Sequence, residues 1–120
     1  MKLNITQSFI KTDVRYRLTI CILIHIILRM EFTCDPTKNE TNIRDRSLPL
    51  LAARAMFSNE MVVREDTRRV YPERRLIGYA TLAGRLMVVV FCQPSDERIH
   101  IISFRKANPR EQKKFENQQI

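Results

Sequence analysis

The sequence predicts a small single α+β domain: two N-terminal helices, an antiparallel four-stranded sheet and a C-terminal helix. Three observations predict it. Two Xaa-Pro pairs, Asp35-Pro36 and Asn108-Pro109, each open a polar segment of helix length. An apolar stretch, LLAARAMF, follows the first of these segments. The second half then holds β-rich runs joined by short turns, the pattern of a meander.

Taken in order, Phe32-Thr33-Cys34 reads as a short strand. Asp35 supplies a helix N-cap, and Pro36 stands at the first helical position, where its missing N–H leaves no bond unmade. The helix TKNETNIRDR is polar, is expected to be exposed, and ends before Pro49. In LLAARAMF, Leu51, Ala55 and Met56 can share a buried stripe at helical spacing. Met61-Val62-Val63 begins a strand, and EDTRRVYPE is a charged loop broken by Pro72. Residues 75–82, 86–93 and 98–105 are strands; Ala83-Gly84 joins the first two, and residues 94–97 join the second pair. LMVVVF is apolar on both faces and belongs in the middle of a covered sheet. Asn108-Pro109 repeats the cap-and-proline device before REQKKFENQ. The helices are expected on one face of the sheet.

A chain of 120 residues fits one domain. The 44% hydrophobic and 28% charged residues are ordinary for a globular protein, so a low-complexity or disordered chain is set aside. The net charge is +8, and in the second part the cations are mostly arginine, whose planar fork suits an oxyanion. Such a balance points to RNA, DNA or an acidic protein partner, or to plain solvated charge. Cys21, Cys34 and Cys92 are odd in number and widely spaced, with no metal-ligand spacing, which fits a reducing compartment.

Residues 1–29 read as an N-terminal extension and residues 30–120 as the domain. The run LTICILIHIIL at residues 18–28 is eleven residues long, against about 20 for a membrane-spanning helix. Basic residues precede it as in a signal peptide, yet Arg29-Met30-Glu31-Phe32 offers no pair of small residues for a signal peptidase. It reads as an anchor or signal, as a strand or helix loosely attached to the domain, or as sequence upstream of a true start at Met30. The last is favoured, and with it a cytoplasmic protein.

The sequence holds no glycine-rich phosphate loop, GxSxG or HExxH. The candidate residues are Glu73, Arg75, Arg85, His100, Ser103, Arg105 and Lys106. RNA cleavage without metal needs a base for the 2′-hydroxyl, a cation for the charge on phosphorus and an acid for the 5′-oxygen. Strict alternation in IHIISFR places Ser103 and Arg105 on one face, and His100 with Ile102, Phe104 and Lys106 on the other. His100 between isoleucines reads by default as a structural histidine; Arg105 reads also as a surface ion pair, Glu73 and Arg75 as a cross-loop pair, and Arg85 as a hairpin charge.

From residue 30 to 116 the sequence resembles the BrnT family of toxins. FTCDPTKNETNI is similar to that family's F-x-W-D-P-x-K-x-x-x-N opening, and AARAMF, EDTRRVYPERR and GRLMVVVF continue the match. IHIISFRKANPREQKKFE is its most specific block. The chain departs where the family reads K-H-G: here stand Asp45-Arg46-Ser47, with arginine in the histidine's place. Pro72 stands where glycine is common, and Gly78 lies two positions before Ala80.

The resemblance implies a RelE-like fold and a bacterial ribonuclease toxin that needs no cofactor and halts translation. It implies a BrnA-type ribbon–helix–helix antitoxin as partner, with operator DNA bound only through that antitoxin, and no membrane unless residues 1–29 anchor the chain. Glu73, Arg75, Arg85, Ser103 and Arg105 fall on the family's polar pattern, followed by Lys106 and Arg110. The catalytic assignment expected from this is Glu73 as base, Arg75 and Arg105 as phosphate cations and His100 as alternative acid or base. Arg85, Ser103, Lys106 and Arg110 are then expected to bind RNA. The alternative is a toxin-like module, weak or inactive in catalysis, that binds antitoxin and assists repression.

Overall fold

In the computed structural model, Asp35 and Asn108 each cap an α-helix in the manner their proline neighbours predict. The model describes Lys2–Leu3 and residues 29–120. The expectations for residues 18–28 lie outside the described residues, as does most of the extension whose boundary was set at Met30.

Among the described residues, the strands are β1 (Lys2–Leu3), β2 (Glu31–Cys34), β3 (Met61–Glu65), β4 (Leu76–Leu82), β5 (Arg85–Ser95) and β6 (Arg98–Lys106), and the α-helices are α1 (Pro36–Arg46) and α2 (Pro109–Glu116). The Asp35 carboxylate accepts from the Lys38 N–H at 3.0 Å. Asn108 and Glu111 form a reciprocal capping box, which satisfies two backbone donors that helix geometry leaves over. The first helix ends at Ser47, which takes a left-handed φ of 55° at the position where the resemblance puts glycine.

Three expectations are corrected. First, the sheet is not a four-stranded antiparallel one. Its order is β1-β3-β4-β5-β6-β2, so five strands besides the two-residue β1 are hydrogen-bonded, and β2 joins β6 in parallel. Turn signals specify only neighbours joined by a hairpin, whereas β2 and β6 lie far apart in the chain. What anchors β2 is aromatic packing: Phe32 meets Phe57 edge-on at 5.3 Å, and Phe57 meets Phe91 at 4.9 Å.

Second, the apolar segment is a 3₁₀ helix, Leu50–Ser58. Three residues per turn bury Leu50, Ala53 and Met56 in line, with Phe57 beside them. The expected stripe fails, since Leu51 is 44% exposed and Ala55 faces out. Asn39 caps this helix by accepting from the Leu50 N–H at 2.8 Å.

Third, the helices are not confined to one face. The 3₁₀ helix covers the face formed by Met61, Val63, Ala80, Met87, Val89, Phe91, Ile99, Ile101 and Phe104. Phe115 of α2 packs on the opposite face, against Ile77, Tyr79, Leu86, Val88, Val90 and Ala107. Helix α1 runs beside β6, held by Asn42, whose buried amide donates to the carbonyls of Leu48 (2.8 Å) and Phe104 (2.9 Å).

Strand β6 is irregular at Ile102. Phe91 pairs with Ile101 but Val90 with Ser103, so Ile102 is an extra residue. Ile101 and Phe104 both enter the first core although three positions apart, which regular alternation forbids. This β-bulge reverses the face of every later side chain.

Candidate functional site

The expected separation of His100 from Arg105 does not survive the bulge. His100 pairs with Cys92, Ser103 with Val90 and Arg105 with Val88, and these three β5 residues alternate onto one face. His100, Ser103 and Arg105 therefore share the α2 face, whereas Phe104 and Lys106 point to the other.

Extending these pairs across the sheet gives three rows. The first holds Cys92, His100 and Thr33, with Arg75 just before the start of β4 at the same level. The second holds Arg64, Ile77, Val90 and Ser103, and the third Val62, Tyr79, Val88 and Arg105. The outer rows lie four residue steps apart along β5, about 13 Å by strand rise. Arg75 and Arg105 therefore project from well-separated points of the face.

In the first row, the Arg75 guanidinium bonds the Glu73 carboxylate and stacks over the Tyr71 ring at 4.0 Å. Both charged side chains remain partly exposed, at 24% and 35%. Across buried Cys92 stands His100, half-buried, with Nδ1 2.8 Å from the Thr33 hydroxyl. Burial pushes the Cys92 thiol up, with Glu73 adding to the rise and Arg75 opposing it. The Glu73–Arg75 pair thus lies close enough to Cys92 to be felt there.

In the other two rows, Arg105 makes a two-pronged ion pair with Glu111, both contacts at 2.8 Å. Hydrogen bonding from Arg105 holds the Glu111 carboxyl below the usual range despite its burial, and Asn108 and nearby Arg64 assist. Arg64 donates to the Tyr79 hydroxyl at 3.1 Å and lies over its ring. The capping glutamate of α2 thus also orients the arginine of β6.

The loop between β3 and β4 is closed at its neck by the Asp66 N–H donating to the Arg75 carbonyl at 2.8 Å. The buried Asp66 carboxylate accepts two bonds from the Arg68 guanidinium, each 2.8 Å. Those bonds lower its pKa to about 2 against the opposing effect of burial, and Tyr71 adds another.

The remaining expected residues lie apart. Arg85 donates to the Ala107 carbonyl at 3.2 Å, a strand-end contact. Lys106 and Arg110 are exposed, Lys106 on the opposite face and Arg110 in the first turn of α2. Arg46 donates to the Asn42 amide oxygen at 2.6 Å. Sequence reasoning did not single out Arg64, Arg68, Tyr71, Tyr79 or Glu111. Alternation in MVVRE and the N3 position of Glu111 after Asn108 are signals that reach Arg64 and Glu111. Among the described residues no group of three or more His, Cys, Asp or Glu side chains could hold a metal ion, and no helix is long and apolar enough to cross a membrane.

The model of the family described as "Ribonuclease toxin, BrnT, of type II toxin-antitoxin system" matches residues 34–111. The chain belongs to the BrnT family. Its fold is similar to the crystal structure of the Brucella abortus ribonuclease toxin, BrnT, with a TM-score of 0.53 and 24% identity, over 66% of this chain and 97% of that one. None of the curated proteins matches. The family match spans β3 to β6 and thus both arginine centres, and the family is described as ribonuclease toxins of type II toxin–antitoxin systems.

Proposed function

We propose that this BrnT-family protein is an endoribonuclease that cleaves single-stranded RNA without a metal at the row joining Arg75 to His100. What carries the reading is the pairing of His100 with Cys92, which sets it on the face of Glu73 and Arg75, across β5 from them, while the bulge adds Ser103 and Arg105 to that face. A base and an acid on opposite sides of the scissile phosphate are what transesterification needs. Glu73 takes the proton of the 2′-hydroxyl as its oxygen attacks phosphorus. Arg75 stabilises the added negative charge. His100, its Nδ1 engaged by Thr33, delivers a proton from Nε2 to the departing 5′-oxygen. The products are a 2′,3′-cyclic phosphate and a 5′-hydroxyl. Arg105 and Ser103 hold the neighbouring phosphate on the same face.

Cleavage of messenger RNA would halt translation until a BrnA-type ribbon–helix–helix antitoxin covers the arginine face. That antitoxin, not this chain, would contact operator DNA. One observation favours the second reading, a module that binds antitoxin and assists repression without cleaving: Arg75 and Arg105 are each already neutralised by a carboxylate.

Induced expression without an antitoxin separates the two. The enzyme is expected to arrest growth and to leave cellular RNA ending in cyclic phosphates. Normal growth with abundant folded protein and intact RNA supports the module.

A further inference from the structure

A groove of about 250 Å³ lies outside the cleavage row, between α1 and the bulge of β6. Lys38, Thr41, Asn42 and Arg46 line one wall, and Ile102 and Ser103 the other. We propose that this groove is a second RNA subsite, which takes the phosphate and ribose of a nucleotide next to the scissile one. The inference rests on the RNA-cleaving reading above.

Four features carry it. The guanidinium of Arg46 is folded back along α1 and fixed by the Asn42 amide oxygen at 2.6 Å. Asn42 is itself immobilised by two carbonyls of the fold, so the cation is set in place before any ligand arrives, which lowers the entropy lost on binding. One guanidinium N–H is used in this contact, and the fork retains donors for an oxyanion. Lys38 adds a second cation, while Asp45, the acidic group of the groove, is drawn to Arg44 at 3.1 Å.

Ser103 connects the groove to the site: it lines the groove and also sits in the middle row of the arginine face, between His100 and Arg105. Ile102, the extra residue of the bulge, gives an apolar patch for the sugar. The volume falls below the roughly 300–1,000 Å³ of pockets for drug-sized ligands, which suits one unit of a chain better than a whole cofactor.

The test is equilibrium binding of a 2′-O-methyl tetranucleotide, which lacks the attacking hydroxyl and is not cleaved. Arg46→Gln removes the charge yet keeps a donor for Asn42, so the helix contact is retained. Arg46→Gln and Lys38→Gln are each expected to weaken binding about fivefold. Each should also reduce the slope of log K against log salt by about 0.7. Thermal melting of the variants establishes that they are folded. A parent protein that binds, with both variants matching its affinity and salt slope, overturns the groove and leaves the cleavage reading standing. A parent protein that fails to bind the oligonucleotide overturns both.

Discussion

The two faces of the sheet are built from the same strands yet do different work. The face under the 3₁₀ helix is closed over an apolar core, with Ala53, Met56, Met61, Val89 and Ile101 at 0% exposure. The α2 face has a smaller apolar patch, and around it lie Arg64, Arg75 and Arg105, each against an aromatic ring or a carboxylate. Stability is concentrated on the first face and ionic chemistry on the second. The bulge at Ile102 joins them, because it keeps Phe104 in the core while turning Arg105 outward to the ions.

The comparison breaks most plainly at Phe104. Phe104→Ala on the closed face is expected to lose about 3–5 kcal/mol, read from denaturant unfolding. A loss below about 1 kcal/mol would show that this face is not the centre of the fold. On the open face the effect should fall on rate instead. Arg75→Ala is expected to slow RNA cleavage ~10²–10³-fold, with only a small change in melting temperature. Arg105→Ala, one nucleotide away in this geometry, should mainly raise KM. Equal losses of kcat in the two variants would place both arginines at one phosphorus and contradict the separate roles proposed for them.

Acid acts on the loop that bounds the open face. The Asp66 pKa is lowered from 3.8 to about 2, so its contribution is complete above pH 3.8 and is lost as pH falls toward 2. The Arg68 side chain is 62% exposed, and solvent screening trims the effect to about 1–2 kcal/mol. Unfolding followed from pH 5 to pH 2 should show the parent losing stability and Asp66→Asn losing less. Parallel curves would remove Asp66 from the account.

The smallest change expected is favourable. Ser47 holds a left-handed φ of 55°, a conformation that disfavours any Cβ, so Ser47→Gly should stabilise the protein by about 0.5–1 kcal/mol with cleavage unchanged. A lower melting temperature would show that the serine side chain contributes more than its backbone loses.

Several parts of this arrangement were legible residue by residue. Both helix starts follow from Asp35-Pro36 and Asn108-Pro109, and the hairpin at Ala83-Gly84 from turn chemistry. The candidate residues Glu73, Arg75, His100, Ser103 and Arg105 were also named from the sequence, and all lie on or beside one face. Their grouping was not legible. A strict period of two assigned His100 and Arg105 to opposite faces, because a single inserted residue leaves no mark on hydrophobic alternation when Ile101 and Ile102 are chemically alike. The partner of β2 was equally hidden, since parallel pairing over a long sequence distance has no turn to announce it.

By itself, then, the sequence determined the local elements, the charge and the family likeness, all properties of neighbouring residues. Only the tertiary structure decided which side chains meet. The register of β5 on β6, the docking of β2 and the two-face division arise from packing among distant segments, where burying Phe104 or Phe32 outweighs any local preference.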